Sequence, residues 1–211
     1  MTTGAYLLVG LALVAAVVDW ISVVDKDQQL EYLCKPLTVV VLIGAALALD
    51  PESDAMRTWF VAALVFSLAG DVFLMLKDRD LFVFGLGSFL MAHLAYVLGF
   101  LQDDLGVVQL VGGLVVAGAA VGLVGLRIVN AAQEKTPDLA VPVMAYMGVI
   151  SLMLVVAVGT GDVVAVVGAL LFYVSDALIG WTRFVRDFPW APLAIIVTYH
   201  LAQVALVVSL V

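Results

Sequence analysis

Two aspartates stand inside apolar runs that are long enough to cross a lipid bilayer. Asp71 lies in the run 60–76 and Asp176 in the run 163–179. A charged carboxylate at mid-membrane costs at least about 2.5 kcal/mol, and an ionisable residue at such a position usually marks a functional site. Two acids in one low-dielectric pocket would not both ionise easily, so we expect one protonated acid and one ionised base.

Other polar side chains occur in the same apolar runs. Tyr146 and Ser175 fall near the level of the two aspartates, and Asp19 lies close to the end of the first run. These residues also have a structural interpretation. A lone buried acid, histidine or tyrosine can serve only to join helices by hydrogen bonds. Two pairs share a helical face at a spacing of three residues: His93 with Tyr96, and His200 with Gln203.

The depth of these groups follows from the helical rise of 1.5 Å per residue. Counted from the basic ends of their runs, Asp71 and Asp176 lie roughly 9 and 10.5 Å deep, at one level. His93 and His200 lie roughly 17 to 20 Å deep. We therefore expect the histidines to line the deeper part of a pocket rather than to contact the aspartates, which also disfavours a shared metal site.

The elements that position these residues are predicted to be transmembrane helices. The chain is 65% hydrophobic and 12% charged, and its apolar runs are continuous rather than alternating. These features predict an all-α polytopic membrane protein, with one transmembrane domain over 1–211. Eight spans are predicted: 5–24, 36–49, 58–76, 81–101, 106–126, 139–158, 163–182 and 190–210.

The basic residues predict the orientation of these spans. Arg57 is on one side, and the other eight lysines and arginines fall on the opposite side. By the positive-inside rule, those eight lie in the cytoplasm and both termini are extracytoplasmic. The eight are Lys26, Lys35, Lys77, Arg79, Arg127, Lys135, Arg183 and Arg186.

A weak internal repeat relates the two halves of the chain. The segment His93-Leu-Ala is repeated at His200-Leu-Ala, Asp176 follows Asp71 by 105 residues, and Pro142 follows Pro36 by 106 residues. Similar offsets indicate a duplication of four helices with halves at 1–105 and 106–211, which would make the aspartates symmetry mates. Independent apolar hairpins are the alternative.

Charge, cysteine content and packing motifs limit the function further. The net charge of −8 argues against nucleic-acid binding, and a single cysteine, Cys34, excludes an internal disulfide. The segment Gly118-Ala-Ala-Val-Gly122 has the GxxxG spacing and predicts a close helix contact. Tryptophans near the ends of the runs, including Trp20, are expected in the interface belts. The oligomeric state stays open.

Short motifs spread along the chain resemble those of the YhhN family, which includes the eukaryotic transmembrane lysoplasmalogenases. The likeness covers nearly the whole chain, and the order and spacing of the motifs are more specific than any one of them. They are Lys35-Pro36-Leu37, Gly70-Asp71, Phe84-x-x-Gly87-x-Phe89-x-x-x-His93-x-x-Tyr96, Tyr146, Phe172-x-x-Ser175-Asp176 and Tyr199-x-x-x-Gln203.

The resemblance implies hydrolysis of the vinyl ether bond of a lysoplasmalogen, without metal or cofactor. Protonation of the β-carbon gives an oxocarbenium ion that water attacks, and Asp71 and Asp176 would divide the acid and base roles as carboxylates do in glycosidases. The partners implied are a lysophospholipid substrate and membrane lipid, and the location is the bacterial inner membrane. The expected substrate-binding residues are Lys35, His93, Tyr96, Tyr146, Ser175, Tyr199, His200 and Gln203.

Other interpretations of the same residues stay open. Paired intramembrane carboxylates and repeats are also typical of proton-coupled or lipid transporters. Gly70-Asp71 resembles one motif of intramembrane aspartyl proteases, although Tyr173-Val-Ser-Asp176 lacks the companion spacing. A ceramidase-like zinc hydrolase or a lipid hydrolase with another substrate is possible too. Lys35 could bind a lipid phosphate, or it could simply extend to the membrane surface.

Overall fold

Eight helices, each long and apolar enough to span a membrane, form the part of the chain that the structure describes. The structure is a computed structural model, and the described residues are 2–76 and 81–211. The predicted all-α fold with eight spans is confirmed. The helices are α1 (Thr3–Asp25), α2 (Gln28–Ala48), α3 (Asp54–Met75), α4 (Phe82–Phe100), α5 (Val107–Lys135), α6 (Pro137–Thr160), α7 (Val163–Val185) and α8 (Ala191–Val208).

Several of these helices begin at capping side chains that lie outside the apolar runs. The Asp27 carboxylate accepts hydrogen bonds from the backbone N–H groups of Gln29 and Leu30, so α2 begins at Gln28. The prediction that Pro36 opens the second helix is therefore wrong, because Pro36 lies inside α2. An apolar run shows which part of a helix can cross the membrane core, whereas hydrogen-bonded caps decide where the helix starts.

Two other helices also continue past their predicted ends. The fifth helix reaches Lys135 through a π-helical segment at Val121–Gly125, and the seventh ends in a second one at Trp181–Val185. Arg127, Lys135 and Arg183 were expected in loops but lie in α5 and α7. Lys77 and Arg79 were also used to predict the orientation, and they lie outside the described residues.

Consecutive helices pack as hairpins, α1 with α2, α3 with α4, α5 with α6 and α7 with α8. Two helices then join the halves of the chain. The fourth helix packs on α6, and the eighth packs on α1, α2 and α3. The interior therefore has α2, α3 and α8 on one side and α4, α6 and α7 on the other. Asp71, Asp176 and the side chains that contact them come from these six helices.

Small residues allow the closest helix contacts, although not where the sequence predicted one. Gly118 and Gly122 are exposed, and a Cβ added at either would meet nothing within 4 Å, so the described residues make no close helix contact at the predicted GxxxG segment. The close contact is made by another face of α5. A Cβ on Gly113 would lie 2.7 Å from the Val155 carbonyl oxygen in α6. The predicted motif has the right spacing but is on the outward face of α5.

Candidate active site

Asp71 is buried near the end of α3 and is held by two neighbouring helices. Its side chain accepts a hydrogen bond of 2.6 Å at Oδ2 from the Tyr199 hydroxyl of α8. Its Oδ1 lies 3.7 Å from the Lys35 Nζ of α2, and only 15% of the Lys35 side chain is exposed. Lys35 therefore forms an ion pair with Asp71 rather than simply extending to the membrane surface.

Asp176 is buried in α7 and has an equivalent pair of neighbours. The Tyr146 hydroxyl of α6 donates a hydrogen bond to Asp176 Oδ2, and the same oxygen lies 3.4 Å from the His93 Nε2 of α4. The prediction that His93 lies too deep to contact an aspartate is therefore wrong. The depths were counted from helix ends, and these ends do not lie in one plane. Helix α7 continues to Val185, nine residues beyond Asp176 and roughly 13 Å along the axis.

Aromatic rings link the side chains that contact the two carboxyl groups. Phe89 packs edge-to-face on both Phe172 and Tyr199, with ring centroids 6.2 and 5.7 Å apart, and Phe172 packs on Tyr199 at 5.6 Å. The two aspartates are close enough to interact electrostatically. The faces of such rings attract positive charge, so this cluster suits a cation that forms between the carboxylates.

A second polar layer lies beyond the aspartates. The Tyr96 hydroxyl donates a hydrogen bond of 2.5 Å to Gln203 Oε1, which joins α4 to α8 across the two halves of the chain. The Phe172 ring packs against both His93 and Tyr96, so it links this layer to the aspartate layer. Ser175 belongs to neither layer, because its hydroxyl donates to the Ile195 carbonyl oxygen at 3.0 Å.

The end of α1 supplies two residues that sequence analysis did not assign to the site. The Trp20 indole Nε1 donates a 3.1 Å hydrogen bond to His200 Nδ1, so Trp20 faces the interior rather than the interface belt. Asp19 is fully buried, and among the described residues neither carboxylate oxygen has a hydrogen-bond partner. It interacts electrostatically with Lys35 and Asp71. The adjacent pair Asp19-Trp20 in an otherwise apolar run was the available signal.

A small apolar pocket of about 30 Å³ ends at Asp176 and Tyr146. It lies between α3, α4, α5, α6 and α7, at the end of the bundle where Phe82 begins α4 and Phe184 ends α7. Apart from Asp176 and Tyr146, its lining is hydrophobic. These residues are Leu74, Phe82, Leu86, Phe89, Ile128, Val143, Met147, Ile179, Gly180 and Phe184.

The chemistry available to this arrangement is proton transfer between carboxyl groups. Within 2–76 and 81–211, no group of three or more histidine, cysteine, aspartate or glutamate side chains is arranged to hold a metal ion. His93 and Asp176 alone would supply two ligands, fewer than the three protein ligands of a catalytic zinc site. Two buried carboxyl groups, two tyrosine hydroxyls and one lysine are the groups that can act on a substrate.

Comparison with known proteins gives the same family for the whole chain. Human (Homo sapiens) lysoplasmalogenase TMEM86B is 34% identical over 179 residues, which are 84% of this chain and 74% of the relative. Bovine (Bos taurus) lysoplasmalogenase TMEM86A is 30% identical over 201 residues, covering 90% of this chain and 78% of the relative.

A bacterial relative extends this similarity. The lysoplasmalogenase of Mycobacterium bovis is 32% identical over 157 residues, which are 70% of this chain and 58% of that protein. No solved structure matches the chain. The model of the YhhN family matches residues 30–210, a range that includes both aspartates and all the residues that contact them. The chain therefore belongs to the YhhN family, as its motifs predicted.

Proposed function

We propose that this protein is a membrane-embedded hydrolase that cleaves the vinyl ether bond of lysoplasmalogens. The products are a fatty aldehyde and glycerophospho-ethanolamine or glycerophospho-choline. The observation that carries this proposal is a pair of buried carboxyl groups, each with a tyrosine donor, beside an apolar pocket. The names of the relatives, lysoplasmalogenases of mammals and mycobacteria, support it.

The surroundings of the two aspartates support different roles for them. Asp71 has the Lys35 ammonium group beside it, and a neighbouring cation favours an ionised carboxylate. Among the described residues no lysine or arginine contacts Asp176, which faces the apolar pocket. An apolar chain in that pocket would bring its vinyl carbons to Asp176. We therefore assign Asp176 as the acid and Asp71 as the base.

With these roles, each carboxyl group gives up one proton and takes up one proton during the catalytic cycle. Asp176 gives its proton to the β-carbon, where the alkene electron pair forms the new C–H bond, and an oxocarbenium ion results. Asp71 takes a proton from water as the water oxygen bonds to the cationic carbon. The hemiacetal then returns its hydroxyl proton to Asp176 while Asp71 protonates the glycerol oxygen, and the C–O bond breaks. Both carboxyl groups regain their starting states.

The groups around this path would stabilise its cationic intermediate. The charge on Asp71 and the faces of Phe89, Phe172 and Tyr199 offset positive charge, and electrostatic stabilisation of this kind is stronger in a dry site than in water. The Tyr146 and Tyr199 hydroxyls fix the orientation of the two carboxyl groups. His93, Tyr96, His200 and Gln203 would shape the wall beyond the reacting carbons.

A duplication of four helices would account for the pairing of the aspartates. We propose that 1–105 and 106–211 are equivalent halves, so that α3 corresponds to α7. Each aspartate is then contacted from the preceding helix of its own half, by Lys35 or Tyr146, and from the last helix of the other half, by Tyr199 or His93. The contacting residues themselves differ between the halves, which would give the two acids different roles.

The orientation is likewise a proposal that rests on charge. Arg57 begins α3 at one end of the bundle, whereas Lys26, Lys135 and Arg186 lie at the other end, where the apolar pocket also lies. By the positive-inside rule this second end faces the cytoplasm, both termini are outside, and the membrane is the bacterial inner membrane. Substrate would then approach from the cytoplasmic leaflet.

Purified protein in detergent, supplied with an alkenyl lysophospholipid, tests the function. We expect release of fatty aldehyde and no cleavage of the saturated alkyl ether analogue, which cannot form the oxocarbenium ion by protonation. Asp71→Asn and Asp176→Asn should each lower turnover by about 10²- to 10⁴-fold, the usual contribution of a general acid or base. No aldehyde from the folded wild-type protein would contradict the proposal and favour a transporter.

A further inference from the structure

A second opening reaches Lys35, the ion-pair partner of Asp71, from the same end of the bundle as the apolar pocket. It lies between α1, α2 and α8 and has a volume of about 660 Å³. The residues that matter for its chemistry are Lys26, Glu31, Lys35 and Trp190. We call it the charged opening. It shares no lining residue with the apolar pocket, so the site has two separate approaches.

The charged opening leads directly to the base. Lys35 lines its inner end, and the Nζ of that side chain is 3.7 Å from Asp71 Oδ1. Glu31 is one helical turn away from Lys35 on the same face of α2, and Lys26 stands opposite, just past the end of α1. A ligand that extends outward from Asp71 would therefore pass positive groups and one carboxylate in turn.

The charges around this opening have both signs, which argues against a purely anionic ligand. Lys26 and Lys35 supply the positive charge, whereas Glu31 in the wall and Asp19 beside Lys35 supply negative charge. Trp190 is 63% exposed at the rim, and an indole face is the best aromatic partner for an ammonium group. The combination of phosphate-binding lysines with an acid and an exposed indole matches a zwitterion.

We propose that the charged opening binds the phosphate and amine headgroup of the lysophospholipid. Lys26 and Lys35 face the phosphate, and Glu31 and Trp190 face the ethanolamine or choline nitrogen. This proposal rests on the proposed function and adds the specificity-determining residues Lys26, Glu31 and Trp190 to it. The alkenyl chain then lies in the apolar pocket with the vinyl ether between Asp71 and Asp176, and each product leaves by its own opening.

The basic residues beside the apolar pocket are less suited to this role. Lys135 Nζ donates to the Val185 carbonyl oxygen at 3.0 Å, and the Arg183 guanidinium lies 4.9 Å from the centre of the Phe82 ring. Both are engaged within the protein at the rim of a hydrophobic lining. Lys135 is therefore a matched control for Lys26: each is an exposed lysine at the same end of the bundle.

Three substrates with one alkenyl chain test the proposal: the alkenylglycerol, its phosphate monoester, and its phosphoethanolamine ester. Lys26→Asn should raise KM about fivefold for the two phosphorylated substrates and leave the alkenylglycerol unchanged. Asparagine suits the left-handed backbone at this position, where φ is 59°. Glu31→Gln should raise KM for the phosphoethanolamine ester alone, and Lys135→Asn should change none of the three.

The outcomes separate this inference from the function on which it rests. Absence of aldehyde from all three substrates with the wild-type protein would contradict the vinyl ether hydrolase itself. Aldehyde release with the same KM for Lys26→Asn and wild type on the phosphorylated substrates would overturn only the headgroup site. An effect confined to Lys135→Asn would put the phosphate at the rim of the apolar pocket and would likewise overturn it.

Discussion

Lys35 and Asp71 form an ion pair with Nζ 3.7 Å from Oδ1, whereas Asp176 has a tyrosine and a histidine as its neighbours. This single difference distinguishes two carboxyl groups that are otherwise alike in burial and in tyrosine donors. Charge on Asp71 is stabilised by the lysine, and a proton on Asp176 is compatible with its apolar surroundings. This difference is the basis on which we propose Asp71 as the base and Asp176 as the acid.

A double-mutant cycle tests whether Lys35 acts through Asp71. With alkenylglycerol, which lacks a phosphate, Lys35→Met should lower kcat/KM by about 10- to 100-fold, since a hydrogen bond or ion pair to a buried charge is worth about 1.5–3 kcal/mol. In the Asp71→Asn background the same change should have no further effect. The measurement is kcat/KM of the four proteins, with Lys135→Met as the control. Additive losses would contradict the coupling.

Carbon protonation by Asp176 predicts where solvent hydrogen enters the product. In D2O the aldehyde should carry one deuterium on the carbon next to its carbonyl group, because that carbon is the β-carbon of the vinyl ether. Mass spectrometry of the aldehyde measures this, and unlabelled aldehyde incubated with the protein corrects for slow exchange. Product without deuterium would exclude protonation at carbon as the first step.

The two tyrosine hydroxyls should each contribute to turnover. Tyr199→Phe and Tyr146→Phe remove donors to Asp71 Oδ2 and Asp176 Oδ2 while keeping the rings, so the packing around Phe89 and His93 is retained. We expect kcat to fall about 10- to 100-fold in each, from the loss of a hydrogen bond to a charged group. Tyr6→Phe, at an exposed position in α1, is the control. Unchanged kcat in both variants would make these hydroxyls merely structural.

Much of this site could be predicted from the sequence because the bilayer makes polar residues conspicuous. Asp71, Asp176 and Tyr146 stand out in apolar runs, and Lys35 directly precedes the second run. The structure pairs Asp71 with Lys35 and Asp176 with Tyr146. Helix number follows from the length and continuity of those runs. Family motifs then extend the prediction to Tyr199, which no spacing rule would have selected.

The parts that failed depend on properties that apolar runs do not encode. The ends of helices depend on capping side chains such as Asp27, and apolar runs do not show these ends. Depths counted from the ends of runs therefore misplaced His93 relative to Asp176. The rotation of a helix about its axis decides which small residues meet a neighbour, which is why Gly113 and not Gly118 packs closely. Trp20 has the composition of an interface residue, and only the fold brings it to His200.

Activity is expected to be independent of added metal ions. The described residues contain no set of three side chains arranged to ligate a metal, and the proposed cycle needs only the two aspartates and water. Incubation with EDTA followed by gel filtration should leave aldehyde release unchanged, and added zinc should not increase it. Loss of activity that zinc restores would support a metal site at His93 and Asp176 instead, and would contradict the two-carboxylate cycle.

Gly70 is expected to be essential for packing beside Asp71. A Cβ at this position would lie 2.6 Å from two ring carbons of Phe89, so Gly70→Ala must move the ring that packs on Phe172 and Tyr199. Overpacking of this kind typically costs about 1–3 kcal/mol, which should lower the midpoint of thermal unfolding in detergent and reduce kcat. Gly118→Ala is the matched control, since both replacements gain the same helix propensity and nothing lies within 4 Å of a Cβ at Gly118. Because that gain is common to both variants, the difference between their unfolding midpoints reports the collision with Phe89. Equal midpoints would mean that the ring moves aside without cost, and that the glycine before Asp71 has no role in holding the aromatic cluster.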